Sequence, residues 1–266
     1  MLLLAACSPI KDYTDPEGPY FEGQYAGPPG AFDGELKIVT WNLSFARGVD
    51  QAVETLSTAE PLLDADVLLL QEMDEIGVDT IARELGFNYV YYPAVIHYRH
   101  GKNFGNAILT RWPITDHAKI VLPKNVPLRK QTRIAVLAEI LIDGKTVNVA
   151  NVHLETIWMA NRKGKTQVDY LAEQIADLEQ PNTILAGDFN TWNPWSIKYL
   201  EEIFTQIGLQ RVSAGTGYTF EYARLKFTLD HIFAGDPLAY DAGVWRQTDA
   251  SDHYPVWASL EISEPK

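Results

Sequence analysis

From residue 35 onward the chain repeats one pattern: a short apolar run that ends in a polar residue. Thr183-Ile184-Leu185-Ala186 running into Gly187-Asp188-Phe189-Asn190 shows it most clearly. So short a run, between Pro181 and a glycine, predicts a buried strand with its polar end at a sheet edge. Alternation along such a strand places Asp188 and Asn190 on one face, roughly 7 Å apart. Gly-Asp and Phe-Asn are equally good turn chemistry, so this stretch alone leaves both readings open.

The same pattern predicts strands over residues 36–43, ending in Trp41-Asn42, and 65–72, ending in Gln71-Glu72. Others are predicted over 87–93, 106–110, 133–142 and 146–154, the last ending in His153. Asp143-Gly144 predicts a hairpin between the final two. Residues 101–105 read as a polar loop, 227–234 as a strand with Asp230 in its middle, and 256–262 as a last strand after Ser251-Asp252-His253. Helical spacing covers 49–59, 79–85 before Gly86, 161–178 and 194–207, with Pro194 suited to a first turn. Strands interspersed with helices, in two loosely similar halves, fit two packed sheets covered by helices.

Residues 8–34 differ. Their prolines, glycines and acidic excess read as a tether, although Tyr13, Tyr20, Phe21, Tyr25 and Phe32 suggest that part of it lies on the domain surface. The chain therefore divides into a leader remnant and tether, 1–34, and one domain, 35–266. Hydrophobic residues are 46% of the chain, enough for a sizeable core. A single cysteine excludes an intramolecular disulfide and multi-cysteine zinc sites. The net charge of -13 argues against unaided non-specific nucleic-acid binding, but not against a phosphate substrate beside a divalent cation.

Asn42, Glu72, His153, Asp188, Asn190, Asp230, Asp252 and His253 all lie at or beside ends of apolar runs. Strand ends gathered at one edge of a sandwich make a single cleft. Glu72 and Asp252 are hard oxygen donors and Asn42 a neutral one, a mix that suits Mg²⁺, with Mn²⁺ as substitute. Two histidines can donate to phosphoryl oxygens or move protons, and Asp230 can orient one of them. The chemistry such a set supports is metal-assisted attack of water on phosphorus.

Seven stretches occur in order: Thr40-Trp41-Asn42, Leu70-Gln71-Glu72, Gly105-Asn106-Ala107-Ile108-Leu109-Thr110-Arg111, Asn151-Val152-His153, Gly187-Asp188-Phe189-Asn190, Leu229-Asp230-His231 and Ser251-Asp252-His253-Tyr254-Pro255. Together they resemble the endonuclease/exonuclease/phosphatase superfamily, whose fold deoxyribonuclease I shares. The resemblance implies an α+β, four-layer α/β sandwich of two mainly antiparallel sheets flanked by helices. It implies Glu72 as principal metal ligand with Asn42 and Asp252, Asp188 on the attacking water, Asn190 on the phosphate, and His253 oriented by Asp230. His153 would be a second histidine on the phosphate, with no orienting partner evident in the sequence. Arg133 is the best candidate for a phosphate clamp, and His231, next to Asp230, should face away and be structural.

Leu4-Ala5-Ala6-Cys7 resembles the lipobox of bacterial lipoproteins. That implies a lipid anchor on Cys7, a true start upstream, and a place in the cell envelope (outer membrane or periplasm). The overall expectation is a monomeric, Mg-dependent phosphoesterase on a phosphodiester or phosphomonoester. The alternatives are a nuclease on DNA or RNA and a non-catalytic binding module. A serine-hydrolase triad is excluded, because Ser251, Asp252 and His253 are consecutive and no Gly-x-Ser-x-Gly elbow exists.

Overall fold

The computed structural model describes residues 11–124, 131–155, 166–178, 182–235 and 239–261. In chain order the strands are β1 (Phe21–Gln24), β2 (Glu35–Asn42), β3 (Val67–Met73), β4 (Asn88–Ile96), β5 (Asn103–Thr110), β6 (Ile114–Val121), β7 (Ile134–Ile142) and β8 (Lys145–His153). They continue as β9 (Thr183–Asp188), β10 (Leu209–Arg211), β11 (Phe220–Tyr222), β12 (Leu225–Phe227), β13 (Asp230–Gly235), β14 (Ala239–Val244) and β15 (Val256–Glu261). The α-helices are α1 (Val49–Thr58), α2 (Glu75–Leu85), α3 (Gln167–Ile175) and α4 (Pro194–Gln206).

One large sheet has the order β1-β4-β5-β3-β2-β15-β14, a second β10-β13-β9-β8-β7-β6, and β11 and β12 pair as a small hairpin. Each large sheet contains one parallel pair, β2 with β3 and β8 with β9. Side chains alternate across a strand, so each central strand feeds two apolar layers. Ile38, Leu69, Val136, Val149 and Ile232 pack between the sheets. Val39, Trp41, Leu68 and Leu70 face outward onto Leu56 of α1 and Val78 and Ile81 of α2. Ala150, Leu185 and Phe233 face Val168 and Leu171 of α3 and Phe204 of α4. The result is the expected α/β/β/α sandwich.

A buried polar tie joins the sheets. Gln71 Nε2 donates to Asn151 Oδ1 at 2.7 Å, and Asn151 Nδ2 donates to the carbonyls of Leu70 and Ala107. Breaking such a link leaves a desolvated amide without partners, so it holds the two halves in one register.

Several elements differ from the sequence reading. Phe21–Gln24, placed in the tether, pairs with β4, and the Phe21 ring packs 5.9 Å from Tyr91. The helix expected from residue 79 starts at Glu75, because Asp74 caps it by accepting from Gly77 N at 2.7 Å. Asn103 to Gly105, read as loop, begin β5 opposite β4. Asp230 opens its strand instead of sitting in the middle. β6 and β14 were not anticipated: β6 is polar on its exposed face, and β14 is a short edge strand. Cys7, and the part of the third predicted helix over 161–165, lie outside the described residues.

Candidate active site

Strand pairing brings the polar ends together. The parallel register of β8 with β9 sets His153 beside Asp188. Antiparallel pairing of β13 with β9 sets Asp230 opposite Asp188. Gly187 makes this possible: its φ is +146°, and a Cβ there would lie 1.9 Å from the carbonyl oxygen of Val152. From the other sheet, β2 ends at Asn42, whose Nδ2 donates to Asp188 Oδ2 at 3.0 Å.

Glu72 reaches the same place by a local irregularity. Its φ is +59°, and the β3–β5 register shifts between Leu70 and Met73. A bulge of this kind turns a side chain away from simple alternation. Its carboxylate lies 3.9 Å from His153 Nε2, and Asp188 Oδ2 lies 3.4 Å from the same nitrogen.

His253 is held from three directions. Trp41 Nε1 donates to its carbonyl at 2.9 Å, and its backbone bridges Phe220. Its Nδ1 meets Asp230 Oδ2 at 2.9 Å. Thr219 Oγ1 donates to the same carboxylate at 2.6 Å, while accepting from the backbone of Leu229 and Asp230. Its Nε2 lies 4.0 Å from Asp188 Oδ2. Burial opposes charge on this imidazole, but Asp230, Asp188 and Asp252 prevail and push it up to about 10. His253 is therefore an imidazolium at neutral pH. Burial, and then Asp230, raise the Asp188 carboxyl.

His153 is set differently. Arg133 Nη1 lies 3.1 Å from its Nδ1. A guanidinium only donates, so Nδ1 accepts and Nε2 carries the hydrogen. That hydrogen faces Asp188 and Glu72. Burial, Arg133 and His253 hold His153 well below its usual value, so it is neutral. Arg133 is thus the partner that sequence reasoning did not find. It is buried against Phe104, 5.7 Å from the ring centroid, with Glu155 beyond it. As a clamp reaching out to substrate it is poorly placed.

Asn190 also departs from expectation. The strand stops at Asp188, and Asn190 takes φ +53° in a turn closed by its own N–H on Asp188 Oδ1 at 2.9 Å. Its amide donates to the Leu154 carbonyl and, at 3.4 Å, to Asp188 Oδ2. It steadies Asp188; its oxygen accepts from Trp192 Nε1. His231 points away as expected, between Thr191 and Arg211. Thr219 sits in no apolar run, and nothing in the sequence marks it.

The donor set fits a hard divalent cation. Glu72 is raised first by burial and then by its neighbour Asp252, opposed by Arg133, His253 and an Asn42 hydrogen bond. A desolvated carboxylate facing a second one is relieved by a cation between them. Asp252 is exposed at the edge of the cluster, and the Ser251 hydroxyl beside it donates to the Asn42 carbonyl at 2.6 Å. Asn42 Oδ1 accepts from Ser44 N, leaving one lone pair. Ligand atoms of Asp188, Asp230 and His253 also lie within 4.8 Å of one another. Asp230 and His253 are already engaged with each other, so Glu72 offers the freer oxygens.

Residues 39–253 match the model of the Endonuclease/Exonuclease/phosphatase family. A UPF0294 protein of Erwinia tasmaniensis is 28% identical over 243 residues, covering 87% of this chain and 83% of that one. A UPF0294 protein of Yersinia pseudotuberculosis is 32% identical over 138 residues, 51% of each chain, so the match spans about half the length of that relative. Among solved structures, an endonuclease/exonuclease/phosphatase family protein from Leptotrichia buccalis superposes with a TM-score of 0.67 at 18% identity, over 86% of this chain and 100% of that one. D. rerio TDP2 complexed with single strand DNA product superposes at 0.59 with 15% identity, over 86% and 99%. At these identities the structures show a shared fold.

Proposed function

The chain belongs to the endonuclease/exonuclease/phosphatase family, and we propose that it is a divalent-metal-dependent phosphoesterase working through Asp188, His253 and His153. One observation carries the reading: the Nε2 atoms of His153 and His253 stand 3.4 and 4.0 Å from the same Asp188 oxygen. Glu72 Oε1 lies 3.9 Å from the first of them. Residues from both sheets thus converge on one carboxylate oxygen.

Glu72, with Asn42 and Asp252, would hold Mg²⁺ or Mn²⁺, which supplies Lewis-acid charge at a phosphoryl oxygen. Asp188 holds the attacking water and takes its proton as oxygen bonds to phosphorus. Asn190 and Asn42 keep that carboxylate in place. His153 donates its Nε2 hydrogen to a non-bridging oxygen as negative charge grows there. When the ester P–O bond breaks, the leaving oxygen takes the Nε2 proton of His253, and Asp230 keeps the imidazole facing it.

The acidic balance of the chain favours a small phosphoester or a lipid head group as substrate. A nuclease reading has the likeness to TDP2 with its DNA product in its favour. A lipid anchor on Cys7 would place the enzyme at the bacterial envelope; the intact mass of the native protein tests that, and an unmodified Cys7 removes it. Activity is tested with bis(4-nitrophenyl) phosphate and Mg²⁺. Hydrolysis should stop with a chelator and fall by ~10²-fold or more in Asp188→Ala and His253→Ala. Rates untouched by the chelator, or by both substitutions, would overturn the mechanism.

A further inference from the structure

Beside the catalytic cluster stands a patch whose sign opposes that of the chain. The net charge is -13. Yet His97, pushed down to about 4 first by burial, also lies in the field of His100, Arg99, Arg133 and Arg47. Arg133 is committed to His153. Arg47, Arg99 and His100 are exposed. Among the described residues, neither Arg47 nor Arg99 has an ion-pair partner.

The patch is built from two loops, one after Asn42 at the end of β2 and one between β4 and β5. After Asn42, the residues Ser44, Phe45 and Ala46 all adopt positive φ, at 43°, 66° and 53°. Left-handed conformation costs non-glycine residues about 1–2 kcal/mol each, so the surroundings must hold it. Ser44 N is held by Asn42 Oδ1 at 2.9 Å. The result is a Phe45 ring 4.7 Å from His97, 4.6 Å from His100 and 5.5 Å from Phe104. Phe104 in turn lies 5.8 Å from the His153 ring, so the wall is continuous with the reacting centre.

Cation–π contacts hold both exposed guanidinium groups, Arg47 at 4.9 Å over Phe45 and Arg99 at 5.3 Å over Tyr98. Their N–H forks remain open to solvent. Behind them, His97 Nδ1 is buried with no hydrogen-bond partner among the described residues. It lies under that basic rim as an uncommitted polar group.

We propose that Arg47, Arg99, His97 and His100 form a subsite for a second phosphate of the substrate, one that is bound and not hydrolysed. Guanidinium forks match phosphate oxygens, and imidazoles add donors. This rests on the phosphoesterase reading and narrows it to substrates with two phosphates near one another. Successive phosphates of a nucleic acid and those of a polyphosphorylated small molecule share that chemistry.

The experiment compares wild type with Arg47→Ala/Arg99→Ala on bis(4-nitrophenyl) phosphate, on a thymidine dinucleotide with and without a 5′-phosphate, and on inositol mono- and bisphosphates. The preference for two phosphates over one should fall by about 10-fold or more in the variant, mainly through KM. Which pair shows it, nucleotide or inositol, identifies the source. No preference in wild type, or an equal one in the variant, overturns the subsite. A second measurement needs no turnover: inorganic pyrophosphate is titrated into metal-free protein while the imidazole ¹H–¹⁵N signals of His97 and His100 are followed. Saturable shifts that vanish in the variant support the subsite, even if no ester is hydrolysed and the phosphoesterase reading falls. Absent shifts, or shifts kept in the variant, overturn it even in an active enzyme.

Discussion

Arg133 and His153 meet in the interior, Nη1 to Nδ1 at 3.1 Å, with the cation donating to the imidazole. A carboxylate in that place would put the hydrogen on Nδ1 and favour an imidazolium. The arginine enforces the opposite tautomer and a neutral ring. The two site histidines therefore differ in charge: His253 is raised to about 10 and carries a proton on both nitrogens, while His153 is held down as a fixed neutral ring.

Replacing Arg133 with Met should release that choice. The imidazole ¹⁵N signals of His153 should move from a bare Nδ1 toward mixed tautomers, and kcat should fall by ~10- to 10²-fold. Arg133→Lys, which keeps a donor, should recover part of both. Unaltered ¹⁵N signals in the Met variant would contradict the assignment.

Asp230→Asn tests the other histidine. Asp230 is the largest influence holding His253 up against burial. A proton donor raised in this way loses activity as pH rises through its pKa. Without the carboxylate that loss should come at lower pH, and kcat should drop by about 10²-fold. The rate profile of hydrolysis against pH measures both. An alkaline limb that stays where it was would count against an Asp230-supported imidazolium.

Metal binding can be read without turnover. Mg²⁺ or Mn²⁺ at 100 times its Kd should stabilise the native state by about 2.7 kcal/mol, seen as a rise in Tm that a chelator reverses. Glu72→Ala should remove the rise. Asp230→Asn should keep it if the ion sits at Glu72, and lose it if the ion sits among Asp188, Asp230 and His253.

Buried neutral histidines make the fold sensitive to acid. Burial, and then Arg211, push His231 down to about 3; it accepts from Arg211 and meets Thr191 Oγ1 at 2.7 Å. Its folded pKa is below the unfolded value of about 6.5, so the unfolded chain binds more protons in between. Its contribution to stability is present above about 6.5 and is lost as pH falls toward the folded value. Denaturant midpoints should therefore decline from pH 7 to pH 5, and His231→Gln should flatten that decline while lowering stability at pH 8.

Gly187→Ala should unfold or badly weaken the protein. The new Cβ would meet the Val152 carbonyl oxygen at 1.9 Å, and that oxygen is backbone, with no flexible side chain to give way. Thermal unfolding measures the loss. The substitution also moves Asp188, so any folded fraction should be nearly inactive.

Much of this was readable in one dimension, because apolar runs and their polar ends are local. Asn42, Glu72, His153, Asp188 and Asp230 each stand out by position in their own strand, and His253 just before one; the order of elements fits two packed sheets covered by helices. Asn190 shows where local reading stops: strand and turn were both open, and the Asp188 carboxylate capping its N–H decided for the turn. Glu72 shows it again, since alternation alone does not anticipate a residue at φ +59° in a bulge.

What the sequence determined by itself was an inventory: which chemical groups end which strands, and that the strands are enough for two sheets. Which group faces which was decided by tertiary structure. Arg133 on His153, Thr219 on Asp230 and Phe45 on His97 join elements whose separation in sequence carries no record of their contact. The physical reason is that hydrophobic periodicity acts within a few residues. The direction of a hydrogen bond, and the charge a buried imidazole adopts, depend instead on which partners the packed sheets place against it.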